Sequence, residues 1–109
     1  MNDPGSLSPP GAALLLDPRD SVATALQELA LGQTVMIRDR VGAQLQTIEA
    51  RTPVPGFHKL ALRRHAAGEA VIKYGEAIGR TSRPIQAGEH VHTHNLRSLR
   101  SEGNGHPGV

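Results

Sequence analysis

Cysteine is absent from the 109 residues, which excludes disulfides and thiolate metal sites. Tryptophan is absent too, and Phe57 and Tyr74 are the only aromatic residues. The core must therefore be built from Val, Ile, Leu and Ala, and there is no row of aromatic platforms on which bases could stack. Lysine occurs only at positions 59 and 73, and the more numerous arginines are scattered around a small net charge of +2. Without a clustered basic face, nucleic acid is not an expected partner. Long hydrophobic runs are also missing: the stretch 12–16, AALLL, is too short for a signal core or a membrane span. A cytoplasmic protein without a membrane partner is expected. No nucleophile elbow, phosphate-binding loop, dinucleotide fingerprint or zinc-finger spacing occurs.

What remains suggests one modest domain. A chain this short buries a small share of its surface, so a deep, complete active site is hard to build without a partner chain. Pro, Gly and Ser crowd the N-terminus and Gly the C-terminus, so 1–18 and 99–109 are expected to be disordered tails around a domain at 19–98. Within it, Val22, Ala25, Leu26 and Leu29 form a stripe at helical spacing, which predicts an α-helix over 19–32, capped by Asp20 or Ser21 and ended by Gly32. Short strands follow at 34–39, 43–50, 58–63, 70–74, 76–80 and 90–94, with a proline-rich loop at 52–57. Many short strands divided by Gly and Pro turns predict a mainly β barrel or clip. One spacing recurs, Gly-Gln/Glu-X-Val, at Gly32, Gly68 and Gly88, where glycine supplies a turn leading into a strand.

The scarce reactive residues are concentrated in 55–63 (PGFHKLALR), 71–80 (VIKYGEAIGR) and 88–95 (GEHVHTHN). His90, His92 and His94 stand two apart, so an extended strand would place all three on one face. Neutral imidazoles ligate metals and carry protons near neutral pH, but a polar, solvated strand face has the same pattern. Lys59 and Lys73 are anion clamps or surface lysines. Tyr74 offers a phenol to a substrate or belongs to the core. Gly75 predicts a hairpin turn. Glu76 is a base or a solvated carboxylate, and Asn95 a strand-end cap or a polar contact.

Taken in order, the Gly-His-Lys-x-Ala-Leu-like segment at 56–62, the Ala-Gly-Glu turn at 67–69, IKYGxxIG at 72–79 and GExVHxHN at 88–95 resemble the SAF-type small domain of the altronate dehydratase, galactarate dehydratase and sulfolactate sulfo-lyase family, over about 20–98. One departure is visible: the family has Gly directly before His-Lys, whereas Phe57 here separates Gly56 from His58. The resemblance implies a β-clip working beside a large catalytic domain, expected here as a separate large subunit, that removes water or sulfite from a sugar acid or related hydroxy acid. It implies His92, His94, Lys59 and His58 near the chemistry, with Lys73, Tyr74, Glu76 and Asn95 around the substrate. A divalent metal (iron, manganese or magnesium) is expected mainly on the large subunit, with His92 and His94 as this chain's candidate ligands. Two other readings stay open on the residues: a non-catalytic carbohydrate- or carboxylate-binding module, and a His-rich metal carrier.

Overall fold

The structure, a computed structural model, describes residues 9–99; the tail segments 1–8 and 100–109 lie outside the described residues. Among the described residues, nine strands form two sheets. The first holds β1 (Gly11–Leu14), β2 (Val22–Ala25), β3 (Thr34–Arg38), β4 (Gln44–Glu49), β5 (Lys59–Ala61) and β8 (His90–Val91), in the order β4-β3-β1-β2-β5-β8. The second is the meander β6 (Ala70–Lys73), β7 (Glu76–Thr81) and β9 (Leu96–Ser98). Only β1 and β3 run parallel; every other named pair is antiparallel.

The helix expected over 19–32 is corrected to strand β2 followed by turns. β2 is paired on both sides, with β1 and β5, and that ladder overrides a helical stripe in which Leu26 is left exposed. The residues expected to cap the helix tie the two sheets together instead: the Gly75 amide donates to Asp20 (2.8 Å) and the Ile72 amide to the Ser21 hydroxyl (3.0 Å). The expected tail at 1–18 is corrected as well, because Gly11–Leu14 is strand β1, inside the sheet and paired with β2 and β3. The side chains of Ala13 and Leu29 pack in the same core cluster, and a Cβ at Gly11 would overlap Leu29.

The recurring glycine motif belongs to a larger unit. Segments 29–35, 54–60, 65–71 and 85–91 share one backbone pattern: an isolated bridge residue, a tight turn, then a strand. The bridge residues Leu29, Val54, His65 and Ile85 and the strand residues Val35, Leu60, Val71 and Val91 are all fully buried. The bridges pair Leu29 with Val54 and His65 with Ile85. Each turn closes through a backbone hydrogen bond of 3.0–3.1 Å from its fourth residue to its first. Each third residue has positive φ: Gly32 (85°), Phe57 (67°), Gly68 (81°) and Gly88 (91°).

In three of the turns the fourth residue, Gln33, Glu69 or Glu89, folds its side-chain oxygen back to accept the amide of the first residue, at 2.9, 2.8 and 3.0 Å. This clasp is the physical reason for Gly-Gln/Glu. The turn at 55–58 departs at three positions. Pro55 has no amide to be clasped, His58 stands in place of the Gln/Glu, and Phe57 stands in place of glycine. The family's Gly before His-Lys thus corresponds to Phe57, held in the left-handed region with its side chain 76% exposed.

For a residue with a Cβ that conformation costs roughly 1–2 kcal/mol. Phe57→Gly is therefore expected to stabilise the chain by about 1 kcal/mol, allowing for glycine's greater freedom in the unfolded chain. Urea unfolding measures it; a clear loss of stability would show that contacts of the phenyl ring outweigh the backbone strain.

Candidate functional site

The four-turn unit explains where the histidines meet. β5 and β8 belong to the second and fourth copies and pair directly, Lys59 with Val91 and Leu60 with His90. Continuing that antiparallel register sets His58 opposite His92. Their ring centroids are 4.4 Å apart, and His58 lies 5.0 Å from His90, with its Nδ1 2.8 Å from His90 Nε2. His90 and His92 stack at 5.5 Å with 11° between their planes. One ring nitrogen each from His58, His90 and His92 lies within 4.8 Å of the other two.

The extended strand expected over 90–94 is corrected: β8 ends at Val91, and the chain turns, with the amides of Asn95 and Leu96 both donating to the His92 carbonyl. His94 is carried on that turn. It tilts against His90 at 5.0 Å but stands outside the group formed by the other three. The metal ligand pair expected from spacing, His92 and His94, is therefore not the set the fold assembles; His58, His90 and His92 are. His90, which is not among the expected catalytic or metal-binding residues, contacts the rings of His58, His92 and His94 alike. Its amide donates to the Thr52 hydroxyl (2.9 Å).

Asn95 is corrected from a substrate contact to an anchor. It is fully buried; its Oδ1 accepts the His92 amide (3.0 Å) and its Nδ2 donates to the His90 carbonyl (2.9 Å). It fixes the backbone on which both imidazoles sit. Asn95→Ala would leave both backbone groups without their partner, at about 1–3 kcal/mol. We expect a matching fall in the urea midpoint; an unchanged midpoint would show that the turn holds itself.

Strand alternation turns Lys59 to the side of the β5–β8 ribbon away from His58 and His90. There it lines a cleft of about 280 Å³ with Ile78, His92, Thr93, Leu96 and Ser98. His92 thus belongs both to the histidine group and to the lysine cleft. Burial, and then the charge of Lys73, push the Lys59 pKa down. Lys73 itself leans over the Tyr74 ring, 5.3 Å from its centroid. Tyr74 is not core: with Gly75 it forms the two-residue β6–β7 turn, at φ 58° and 63% exposed. Glu76 follows it, on the exposed start of β7, where it acts electrostatically on Arg19.

The electrostatics are one-sided. Burial pushes the His90 pKa down to about 4, and His94, His58, His92 and Lys59 push the same way. His92 is pushed down by burial, then by His58, Lys59 and His94. Every charge acting on these two imidazoles is another base. They are held neutral near neutral pH, with lone pairs available, in a patch that favours a negative partner. The fifth of the described histidines, His65, does different work: it is buried in the bridge position of its unit, with Nδ1 3.0 Å from the Arg63 carbonyl.

Two open β-sheets of short strands, joined by turn-bridge-strand units and carrying this site at one junction, constitute a SAF-type β-clip. The chain belongs to the SAF domain family of altronate/galactarate dehydratase, whose family model matches residues 11–99. It is 43% identical over 83 residues to the altronate dehydratase of Escherichia coli (strain K12), covering 76% of this chain and 16% of that protein. It is 47% identical over 66 residues to the (2R)-sulfolactate sulfo-lyase subunit alpha of Chromohalobacter salexigens, covering 61% of this chain and 66% of that subunit. To the corresponding subunit of Paracoccus pantotrophus it is 43% identical over 53 residues, covering 49% of this chain and 79% of the subunit. The match thus spans about a sixth of the altronate dehydratase and just under two thirds of the first of these lyase subunits. The family context is that of lyases. No described helix is long and apolar enough to cross a membrane.

Proposed function

We propose that this chain is the small SAF subunit of a hydro-lyase that dehydrates a sugar acid of the altronate or galactarate type, together with a separate large catalytic subunit. The observation that carries this reading is the base-only character of the site: half-exposed imidazoles and a partly buried lysine, with no acid among the charges acting on His90 and His92. Such a patch is complementary to a carboxylate, and its shallowness calls for walls from another chain.

The chemistry follows from the groups. Dehydration begins when a base takes the proton α to the carboxylate. The electron pair then forms the carbon–carbon double bond as the β carbon–oxygen bond breaks, and hydroxide leaves as water after taking up a proton. The enol tautomerises to a 2-oxo acid. His92, which faces the Lys59 cleft, suits contact with the substrate's carboxylate and hydroxyl groups, and the large subunit supplies the base. Lys59 and Lys73 supply positive charge for the carboxylate and for the enediolate that develops from it. His90, stacked on His92, and His58, tilted against it, hold the His92 ring in place.

A second reading has its own support. The chain covers far more of the sulfolactate sulfo-lyase alpha subunit than of the dehydratase, and loss of sulfite instead of hydroxide begins with the same proton abstraction. Co-purification of the tagged chain from its own cell, followed by assays of the complex on altronate, galactarate and sulfolactate, separates the two. Turnover of a sugar acid supports the first reading and turnover of sulfolactate alone the second. Recovery of a partner-free chain that binds these acids without converting them would replace both with a binding module.

A further inference from the structure

We propose that the full chain, by itself, binds one divalent transition-metal ion through His58, His90 and His92. Three independent features of the geometry support the site. First, one nitrogen from each ring falls within a common sphere, mutually within 4.8 Å, although the rings come from two segments over thirty residues apart. Nitrogens bound to a tetrahedral ion at about 2.0–2.1 Å lie roughly 3.3 Å from one another, so small ring rotations suffice. Second, His58 Nδ1 and His90 Nε2 face each other at 2.8 Å. Two such nitrogens require a proton or a cation between them, and the His92 ring, at 4.4 Å from His58, provides a third donor that a shared proton would not use.

Third, the backbones under the ligands are fixed before any ion arrives. Asn95 clamps His90 and His92, Thr52 receives the His90 amide, and His58 sits in a closed turn where it replaces the residue that clasps the other three turns. That exchange of a clasping Gln/Glu for His58 gives up a hydrogen bond and gains a ligand.

The donor set also states the metal class. Three neutral imidazoles with no carboxylate suit zinc, cobalt, nickel, copper or ferrous iron, and not magnesium, which demands oxygen ligands. All three histidines are only half-buried, so coordination positions remain open on the solvent side. The hydroxyl and carboxylate oxygens of an α-hydroxy acid suit those positions; that one point rests on the function proposed above, whereas the metal site rests on the geometry.

The test is titration of Co2+ into the purified full chain, followed by the visible ligand-field bands of four- or five-coordinate cobalt, with Zn2+ calorimetry in parallel. We expect one equivalent of each metal. His58→Ala, His90→Ala and His92→Ala should each weaken binding by at least about 100-fold, the upper range for loss of a group that merely supports a ligand. His94→Ala should leave the affinity unchanged. Circular dichroism of each metal-free variant separates loss of the site from loss of the fold. If His90→Ala unfolds, His58→Ala, on an exposed turn, decides. No ligand-field band, or an equal loss for His94→Ala and His58→Ala, would overturn the site. Cobalt binding by a chain whose complex has no lyase activity would leave the metal site standing and remove the proposed function. Lyase activity without cobalt binding would do the reverse.

Discussion

His92→Ala and His58→Ala, each reconstituted with the proposed large subunit, are expected to lower turnover by at least about 100-fold, the lower end of what a positioned catalytic side chain contributes. The thermal midpoint should move little, because both imidazoles are half-exposed and neither belongs to the buried core clusters. His92 has the larger claim, since it alone lies in both the histidine group and the Lys59 cleft. His58 follows because its ring tilts against His92 at 4.4 Å and contacts His90 directly. His94→Ala should cost far less: it is exposed and touches the group only through His90. Steady-state turnover and a thermal melt of each variant complex check this ordering. Equal, small losses at all three positions would mean a solvated surface. A collapsed midpoint for His92→Ala would mean a structural histidine.

Gly88→Ala should be the most damaging glycine-to-alanine change among the described residues. Gly88 has φ 91°, where a Cβ costs roughly 1–2 kcal/mol. Its Cβ would also drive into the backbone carbonyl oxygen of Glu49 and crowd Arg51. Overpacking of that kind adds about 1–3 kcal/mol. Retreat is blocked on both sides, because the Gly88 amide donates to Ala61 and the Gly88 carbonyl accepts from Arg51, each at 2.8 Å. The total, about 2–5 kcal/mol, is a large share of the stability of a small domain. Gly42→Ala is the internal control. It has nearly the same φ, 92°, but open space around the new methyl, so only the backbone cost remains. Urea unfolding of the two variants isolates the steric part, and equal losses would refute the clash with Glu49.

Much of the sheet was legible in the sequence, and the failures have local causes. The strands at 34–38, 44–49, 70–73 and 76–81 show alternation or a short apolar run between turn residues, and the Tyr74-Gly75 hairpin follows from the glycine. The helix at 19–32 was misread because Val22, Ala25, Leu26 and Leu29 match a helical stripe by coincidence. Their true partners are remote: β1, β5 and Val54 pair across the sheet. β1 hides beside a Pro- and Gly-rich segment, and β9, three residues with no alternation, carries no local signal.

The histidine-rich segment and the family resemblance together name His58, His90 and His92, the three imidazoles whose rings the fold brings together. A straight strand over 90–94 would place His94 beside His92, but the Asn95 clamp bends the chain after Val91 and leaves His94 on the turn. The fourth turn was missed because Pro55, Phe57 and His58 erase its Gly-Gln/Glu signature. Aligning buried Val54 and Leu60 with Leu29 and Val35 would have exposed it. There the Gln/Glu of the motif is replaced by the imidazole of His58, which the fold brings to the site.

The central claim is that this domain completes a lyase active site through its histidines. The most direct measurement is turnover of a sugar acid by the proposed large subunit in three states: alone, saturated with this chain, and saturated with the His58→Ala, His92→Ala double variant, with complex formation confirmed by sedimentation. The account predicts little or no turnover alone, full turnover with the native chain, and a bound but inactive complex with the variant. Equal turnover in all three states would contradict it.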